Sequence, residues 1–241
     1  MSEALVIGLA AALVMVVLSG CESTQSRSAR LAAQANTKLN ANGLSVRRAT
    51  RQVKVRDTRV IQDGNGTAAV VVLQNRTHRP LAAVPVAIEA LDARDRSVFR
   101  NDEPGLEPSL TGPAYLAPGG TIAWVNDQLL PAGTPRRLKV KVGAPRRGAR
   151  RPPAIALTRA RRQADPVSGI AAVGRVTNRS KVTQRDIVVY GVARRGRRIV
   201  AAGRAQIEKL PRGKRKSFQL FFIGDPRGAR IELAAPPTTF K

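Results

Sequence analysis

Cys21 is the single cysteine of this 241-residue chain and stands at the end of a long uncharged run. A thiol can act as a nucleophile, ligate a metal or carry a covalent group. Nucleophilic catalysis needs a base beside the sulfur and a third group to orient that base. The single histidine, His78, lies in a segment that reads as a turn, with no cysteine to partner it. Metal sites need clusters of His, Cys or carboxylates. The nearest are Asp92/Asp95 and Asp102/Glu103/Glu107, and neighbouring Arg94, Arg96 and Arg100 make them read as solvated loop charges. The chain has no GxxxxGK[ST], HExxH or GxGxxG spacing. A glycosidase would need two opposed carboxylates in a cleft. This inventory argues against an enzyme, and no cofactor is expected.

Covalent modification remains for Cys21. Residues 4–18 (ALVIGLAAALVMVVL) are fifteen residues without a charge. A secretory signal core is about 7–15 apolar residues closed by small ones, whereas a membrane-spanning helix needs about 20. Ser19 and Gly20 are small enough to enter a peptidase site. Leu18-Ser19-Gly20-Cys21 resembles the lipobox of bacterial lipoproteins. The resemblance implies a diacylglycerol thioether on Cys21, cleavage between Gly20 and Cys21, and a mature chain that begins at Cys21. It places the protein in the cell envelope, on the outer side of the cytoplasmic membrane or in an outer membrane where one exists. Met1-Ser2-Glu3 lacks the usual positive charge before the run. An uncleaved anchor or an ordinary signal with an incidental cysteine is the alternative.

The mature chain is strongly basic. Removing residues 1–20 takes away one acid, Glu3, and raises the net charge from +26 to +27. With the one thiol lipidated no disulfide forms, so stability must come from a core, and aromatics at 3% make that core aliphatic. Residues 21–52 are polar, small and basic and read as a flexible tether. A short helix over residues 28–39 is one option within it. Arg47, Arg48, Arg51 and Lys54 would face anionic headgroups or simply solvent.

Beyond the tether the chain repeats itself. The stretch from Gly66 to Thr77 (GTAAVVVLQNRT) aligns without gaps on that from Gly169 to Ser180 (GIAAVGRVTNRS), with six of twelve positions identical. Val84, Val86 and Ile88 then match Ile187, Val189 and Gly191. Leu116, Gly119 and Trp124 match Leu210, Gly213 and Phe218 at the same spacing, and Leu138 to Val142 matches Ile231 to Leu233. The local period is two: Leu138, Val140 and Val142 alternate with lysines, and Phe218, Leu220 and Phe222 alternate likewise. Turn signals recur every eight to twelve residues, and no helical period stands out. The pattern predicts an all-β protein of two tandem β-sandwich domains, 53–148 and 153–241, joined by a linker at 149–152. Strands are expected near 53–62, 66–74, 84–91, 97–100, 121–126 and 137–143, then near 154–159, 169–177, 186–193, 199–208, 215–223 and 229–234. Asn75 and Asn178 should bond their own turns. Gly119 and Gly213 should take positive φ, and Trp124 and Phe218 should fill the cores.

A strand ending in Asn-x-Ser/Thr, an alternating strand, a charged turn, and Leu-x-x-Gly before an aromatic strand resemble the FxLYD-type domains of bacterial lipoproteins. The likeness covers 169–234 and, more loosely, 66–142. The family's Tyr-Asp is replaced by Arg194-Arg195 and by Leu91-Asp92. The resemblance implies immunoglobulin-like sandwiches, an envelope role and no catalytic residues.

The charge is uneven. Residues 53–148 carry a net +5 and residues 153–241 a net +15. A meander in the second unit would bring Arg159, Arg161 and Arg162, Arg194, Arg195, Arg197 and Arg198, and linker residues Arg146, Arg147, Arg150 and Arg151 to one domain junction. Arg212, Lys214, Arg215 and Lys216 would fall at the opposite end. Such a junction would hold anionic lipid or a phosphate-rich envelope polymer through arginine forks. The alternatives are repulsion tolerated at exposed turns, and a GC-rich genome that inflates Arg. Nucleic acid is disfavoured as a partner by export and by the lack of aromatics among the basic clusters. The expected function is binding or scaffolding in the envelope, with the membrane as one partner and envelope proteins or anionic polymers as others. A polyanion binder is the second expectation and an envelope enzyme the third.

Overall fold

The Val- and Ile-rich runs of the first repeat become strands with nearly the ends read from the sequence. A computed structural model describes residues 43–165 and 169–240. Residues 1–42 lie outside the described residues, and with them the signal run, Gly20, Cys21 and most of the stretch read as a tether. In chain order the first half forms β1 (Val53–Asp63), β2 (Gly66–Asn75), β3 (Leu81–Ala82), β4 (Val86–Leu91) and β5 (Ser97–Arg100). A four-residue helix α1 (Pro108–Thr111) precedes β6 (Tyr115–Leu116), β7 (Thr121–Asn126), β8 (Arg137–Val142) and β9 (Arg146–Arg147). Two antiparallel sheets, ordered β1-β2-β7 and β5-β4-β8, enclose Val53, Val71, Leu73, Val86, Ile88 and Trp124, and a small β6-β3-β9 sheet stands beside them. Residues 43–52 run beside β8, where the Thr50 N–H bonds the Val142 carbonyl at 2.8 Å.

The second half continues with β10 (Ile155–Leu157), β11 (Arg161–Asp165), β12 (Gly169–Asn178), β13 (Gln184–Arg195) and β14 (Arg198–Leu210). It closes with β15 (Arg215–Phe221), β16 (Ile223–Gly224) and β17 (Arg230–Ala234). β12 pairs β10 and β11 on one side and β15 on the other, and the facing sheet is ordered β16-β14-β13-β17. β11 is absent from the sequence expectation for a physical reason. Its residues Arg-Arg-Gln-Ala are all exposed, so it shows no apolar alternation.

The repeat holds at the level of register. Val71 stands opposite Trp124, and its counterpart Gly174 stands opposite Phe218. A Cβ on Gly174 would lie 2.8 Å from the Phe218 ring, so glycine makes room for the aromatic. Ile88 faces Val140 as Gly191 faces Leu233, and Ala90 faces Leu138 as Ala193 faces Ile231. Gly119 and Gly213 sit at φ 64° and 66°, each closing the turn before its aromatic strand. A Cβ at either would meet open space. Gly119→Ala and Gly213→Ala should therefore each lose only the left-handed strain, about 1–2 kcal/mol, read from urea unfolding midpoints.

The halves are stacked by their sheet faces. Strand period two sends Ile187, Val189 and Ala193 into the second core, while Val188, Tyr190 and Val192 join the core cluster of the first half. β2 is likewise covered on both sides. Val71 and Leu73 face β4, and Val72 lines a cleft with Tyr190 and Val192 of β13. A strand buried on both faces reads as a continuous apolar run, which is the form of Ala68-Ala-Val-Val-Val-Leu73 and Ile187-Val-Val-Tyr-Gly-Val-Ala193. The two faces come from non-equivalent strands of the repeat. The outer faces left over are polar: Lys139 and Lys141 on β8, Arg175 on β12, Ser217 and Gln219 on β15. Polar outer faces of this kind close a stack of repeats. The described residues accordingly belong to one compact unit.

Candidate functional site

Two polar ties and one aromatic contact fix the halves together. The first is Arg204 on β14, whose side chain is only 5% exposed. Its Nε donates to Asp127 Oδ1 at 2.6 Å, its backbone N–H to Asp127 Oδ2 at 3.1 Å, and its Nη1 to Ser109 Oγ at 2.8 Å. Trp124 Nε1 donates to the Ser109 carbonyl at 2.8 Å, so α1 ties the first core to this ion pair. Tyr190 lies opposite Arg204 in the β13–β14 register. Burial pushes its phenol well above the ordinary range, the Asp127 charge pushes the same way, and Arg204 opposes both. In the second tie the Gly224 N–H donates to Asp63 Oδ2 at 2.7 Å. In the third, the C-terminal residues reach the first half, with Phe240 against Tyr115 at 5.7 Å between ring centres. Fully buried Gln184 holds that segment, accepting the N–H groups of Thr238 and Thr239 and donating to the Thr239 carbonyl.

The structure does not bring the three arginine clusters to one junction. Ile155 stands opposite Asn178, and the Arg179 N–H bonds the Ala154 carbonyl, so the linker enters at the Asn178 end. The Asn178 N–H bonds the Lys214 carbonyl, which puts that turn of Arg212, Lys214, Arg215 and Lys216 at the linker's end. The missed strand β11 is the cause: β10 and β11 together run the length of β12 before the hairpin at Gly169. Arg161 and Arg162 lie toward the Gly169 end, and Arg162 Nε donates to the Pro226 carbonyl. Arg195 and Arg198 face each other across the β13–β14 hairpin that holds Arg197, and Arg195 reaches the Arg227 carbonyl. Arg159 precedes β11, beside Thr158, whose N–H bonds the Arg175 carbonyl. The contact between the halves lies mainly on sheet faces.

Charge at the Gly169 end is largely answered from within. Half-buried Arg194 pairs with Glu232 at 3.1 Å, Arg230 pairs with the same carboxylate, and Arg227 pairs with Asp225 at 2.9 Å. The Arg227 guanidinium and N–H hold the Asp225 carboxyl below its usual range. Arg194 and Glu232 also line a cleft of about 250 Å³ between the halves, with Val72, Ile122 and Tyr190.

Four of the five carboxylates considered for metal are otherwise engaged. Asp92 Oδ1 accepts the N–H groups of Arg94 and Arg96, and Oδ2 accepts Arg96 Nε. The Arg96 N–H leads in holding the Asp92 carboxyl low. Asp95 pairs with Arg137, Asp102 with Arg100, and Glu107 accepts Ser109 Oγ. A cleft of about 480 Å³ beside them is lined by Asp92, Arg94, Arg96 and Arg136. Among the described residues no group of three His, Cys, Asp or Glu is placed to hold a metal ion. His78 is exposed. No described helix is long and apolar enough to cross a membrane.

Asn75 and Asn178 bond as the repeat implies. Each is fully buried. The Oδ1 of Asn75 accepts the Thr77 N–H at 2.9 Å and the Thr77 hydroxyl at 2.8 Å. The same atom of Asn178 accepts the Ser180 N–H at 3.0 Å and hydroxyl at 2.7 Å. The Nδ2 of Asn75 donates to the carbonyls of Arg79 and Ala117, and that of Asn178 to Val182 and Leu210. Both amides are structural.

The sequence reading missed Arg175, which shares the outer face of the β12 sheet with Arg161 and Arg215. Its signal was the exchange of Val72, whose side is buried, for arginine at the equivalent place in the second repeat. No family model matches the chain, and a search of curated proteins finds no match.

Proposed function

We propose that this chain is a lipid-anchored protein of the bacterial cell envelope whose body acts as a rigid, non-catalytic binding or scaffolding module. The observation that carries the reading is Leu18-Ser19-Gly20-Cys21 closing a fifteen-residue apolar run, ahead of a body built from one repeated all-β unit. The interlocked halves support the scaffold part. A body held by a shared apolar face and the Arg204–Asp127 pair presents its outer sheets at a fixed spacing. We read each half as an FxLYD-type, immunoglobulin-like sandwich, on the Asn-x-Ser/Thr and Leu-x-x-Gly motifs. Attachment through Cys21 would raise the local concentration of the body at the bilayer without adding contacts.

Intact-mass spectrometry of the membrane fraction tests the anchor. The expected product begins at Cys21 and carries a diacylglycerol thioether. Cys21→Ala should abolish both the lipid mass and the cut at this site. A full-length chain with a free thiol would overturn the reading.

A further inference from the structure

We propose that the outer face of the β11-β12-β15 sheet binds a linear polymer of phosphates. Strand period two turns Ala172, Val176, Phe218 and Leu220 into the second core. The same period leaves Val173, Arg175, Thr177, Arg215, Ser217 and Gln219 on the far side. Arg161 stands opposite Val173, and Arg215 stands opposite Thr177. Arg161, Arg175 and Arg215 therefore come one from each of three adjacent strands, and all three are exposed. Strands are about 4.8 Å apart and two residues advance about 6.6 Å, so successive arginines fall about 8 Å apart on one diagonal. Exposed Arg159 adds a fourth charge beside Arg175.

These guanidiniums differ from those around the β13–β14 hairpin and the turn at Pro226. There Glu232, Asp225 and backbone carbonyls already hold Arg194, Arg227, Arg230, Arg195 and Arg162. Among the described residues no carboxylate forms an ion pair with Arg159, Arg161, Arg175 or Arg215. Ser217 stands opposite Arg175 and Thr177 opposite Arg215, with Gln219 next along β15. An arginine fork matches a phosphate through two parallel N–H bonds. A row of forks on a flat sheet suits a chain of phosphates better than one small anion. Phe221, 37% exposed, gives the face neither an aromatic ladder for bases nor the broad apolar surface a bilayer would bury.

The proposal deepens the envelope reading by naming a ligand class. Its failure would leave the Cys21 mass result untouched, and failure of the anchor would leave binding to this face intact. The test titrates the full chain, in detergent, with fluorescently labelled inorganic polyphosphate at about 50 and 200 mM salt. Arg161→Ser/Arg175→Ser/Arg215→Ser should weaken binding by about tenfold or more and flatten the salt slope by about two. Arg175→Ser alone should give a smaller loss of the same kind. Arg195→Ser/Arg197→Ser/Arg198→Ser removes the same charge and should change affinity by no more than about twofold, the level of screened long-range effects. Thermal melts of the variants should match the parent. Equal losses from both triples would overturn the site. So would competition by orthophosphate at equal phosphate concentration, or binding to phosphatidylglycerol vesicles with none to polyphosphate.

Discussion

Asp127→Ala should lower the stability of the folded body by roughly 3–5 kcal/mol, the cost of leaving one partner of a buried ion pair uncompensated. Arg204 lies between two sheets with its side chain 5% exposed, and Asp127 answers both its guanidinium and its backbone N–H. Without the carboxylate the charge keeps one hydroxyl, Ser109 Oγ, and a Glu107 oxygen 4.0 Å away. Neither restores a bidentate partner. Arg204→Met added to Asp127→Ala should recover most of the loss, because a well-packed apolar replacement of a buried pair is often neutral or stabilising. Urea unfolding followed by Trp124 fluorescence and by far-UV circular dichroism gives the measurement. The single tryptophan reports on the first half, and the dichroism reports on both. One coincident transition is expected, because the apolar faces of β2 and β13 share a core. A loss below about 1 kcal/mol would mean that water reaches Arg204. Two separated transitions would mean that the halves fold independently despite the shared face.

The strands were legible because each repeat writes the same constraints twice, but the expected meander was not their pairing: β12 pairs β15, and β13 lies in the facing sheet. Trp124 and Phe218, or Leu138 and Ile231, keep their spacing to glycine and asparagine turns, and that spacing is what fixes register. The stacking of the halves was not legible in the same way. In β2 and β13 the inner and outer residues are both apolar, so the period that separates faces disappears. The runs were read as strands, but their second buried face was not deduced. β11 failed in the opposite direction, being an exposed edge strand with no apolar face to show. That one missing strand moved the linker to the wrong end of the second half and created an arginine junction that the chain does not form. Arg204 looked like any other arginine of a basic sequence. Its role depends on Asp127, 77 residues earlier, and only the stacking of the halves brings them together.

Asn75→Ala and Asn178→Ala should each cost about 3 kcal/mol, and the two costs should agree within about 1 kcal/mol. In the second repeat the substitution strands the Ser180 N–H and the Leu210 carbonyl, while the Ser180 hydroxyl keeps the Val182 carbonyl as an acceptor at 3.1 Å. A buried group left without its partner costs about 1–3 kcal/mol, and water entering the nearby turn would recover part of the sum. The first repeat loses the equivalent set: the Thr77 N–H and the Ala117 carbonyl of the turn that ends at Gly119, with the Thr77 hydroxyl keeping the Arg79 carbonyl at 3.0 Å. Each amide joins the turn after its own strand to the turn before the aromatic strand, across 42 residues to Ala117 in one case and 32 to Leu210 in the other. Thr77→Val and Ser180→Ala remove only the hydroxyl, which donates to the asparagine and accepts the N–H of Arg79 or Val182, and should cost about 1–2 kcal/mol. Unfolding midpoints of the four variants decide the matter. A loss above about 2 kcal/mol at one asparagine and near zero at the other would show that the repeats share a pattern but not a stabilising device. Matched losses would mean that the duplicated Asn-x-Ser/Thr triplet ties together the same two turns in both halves.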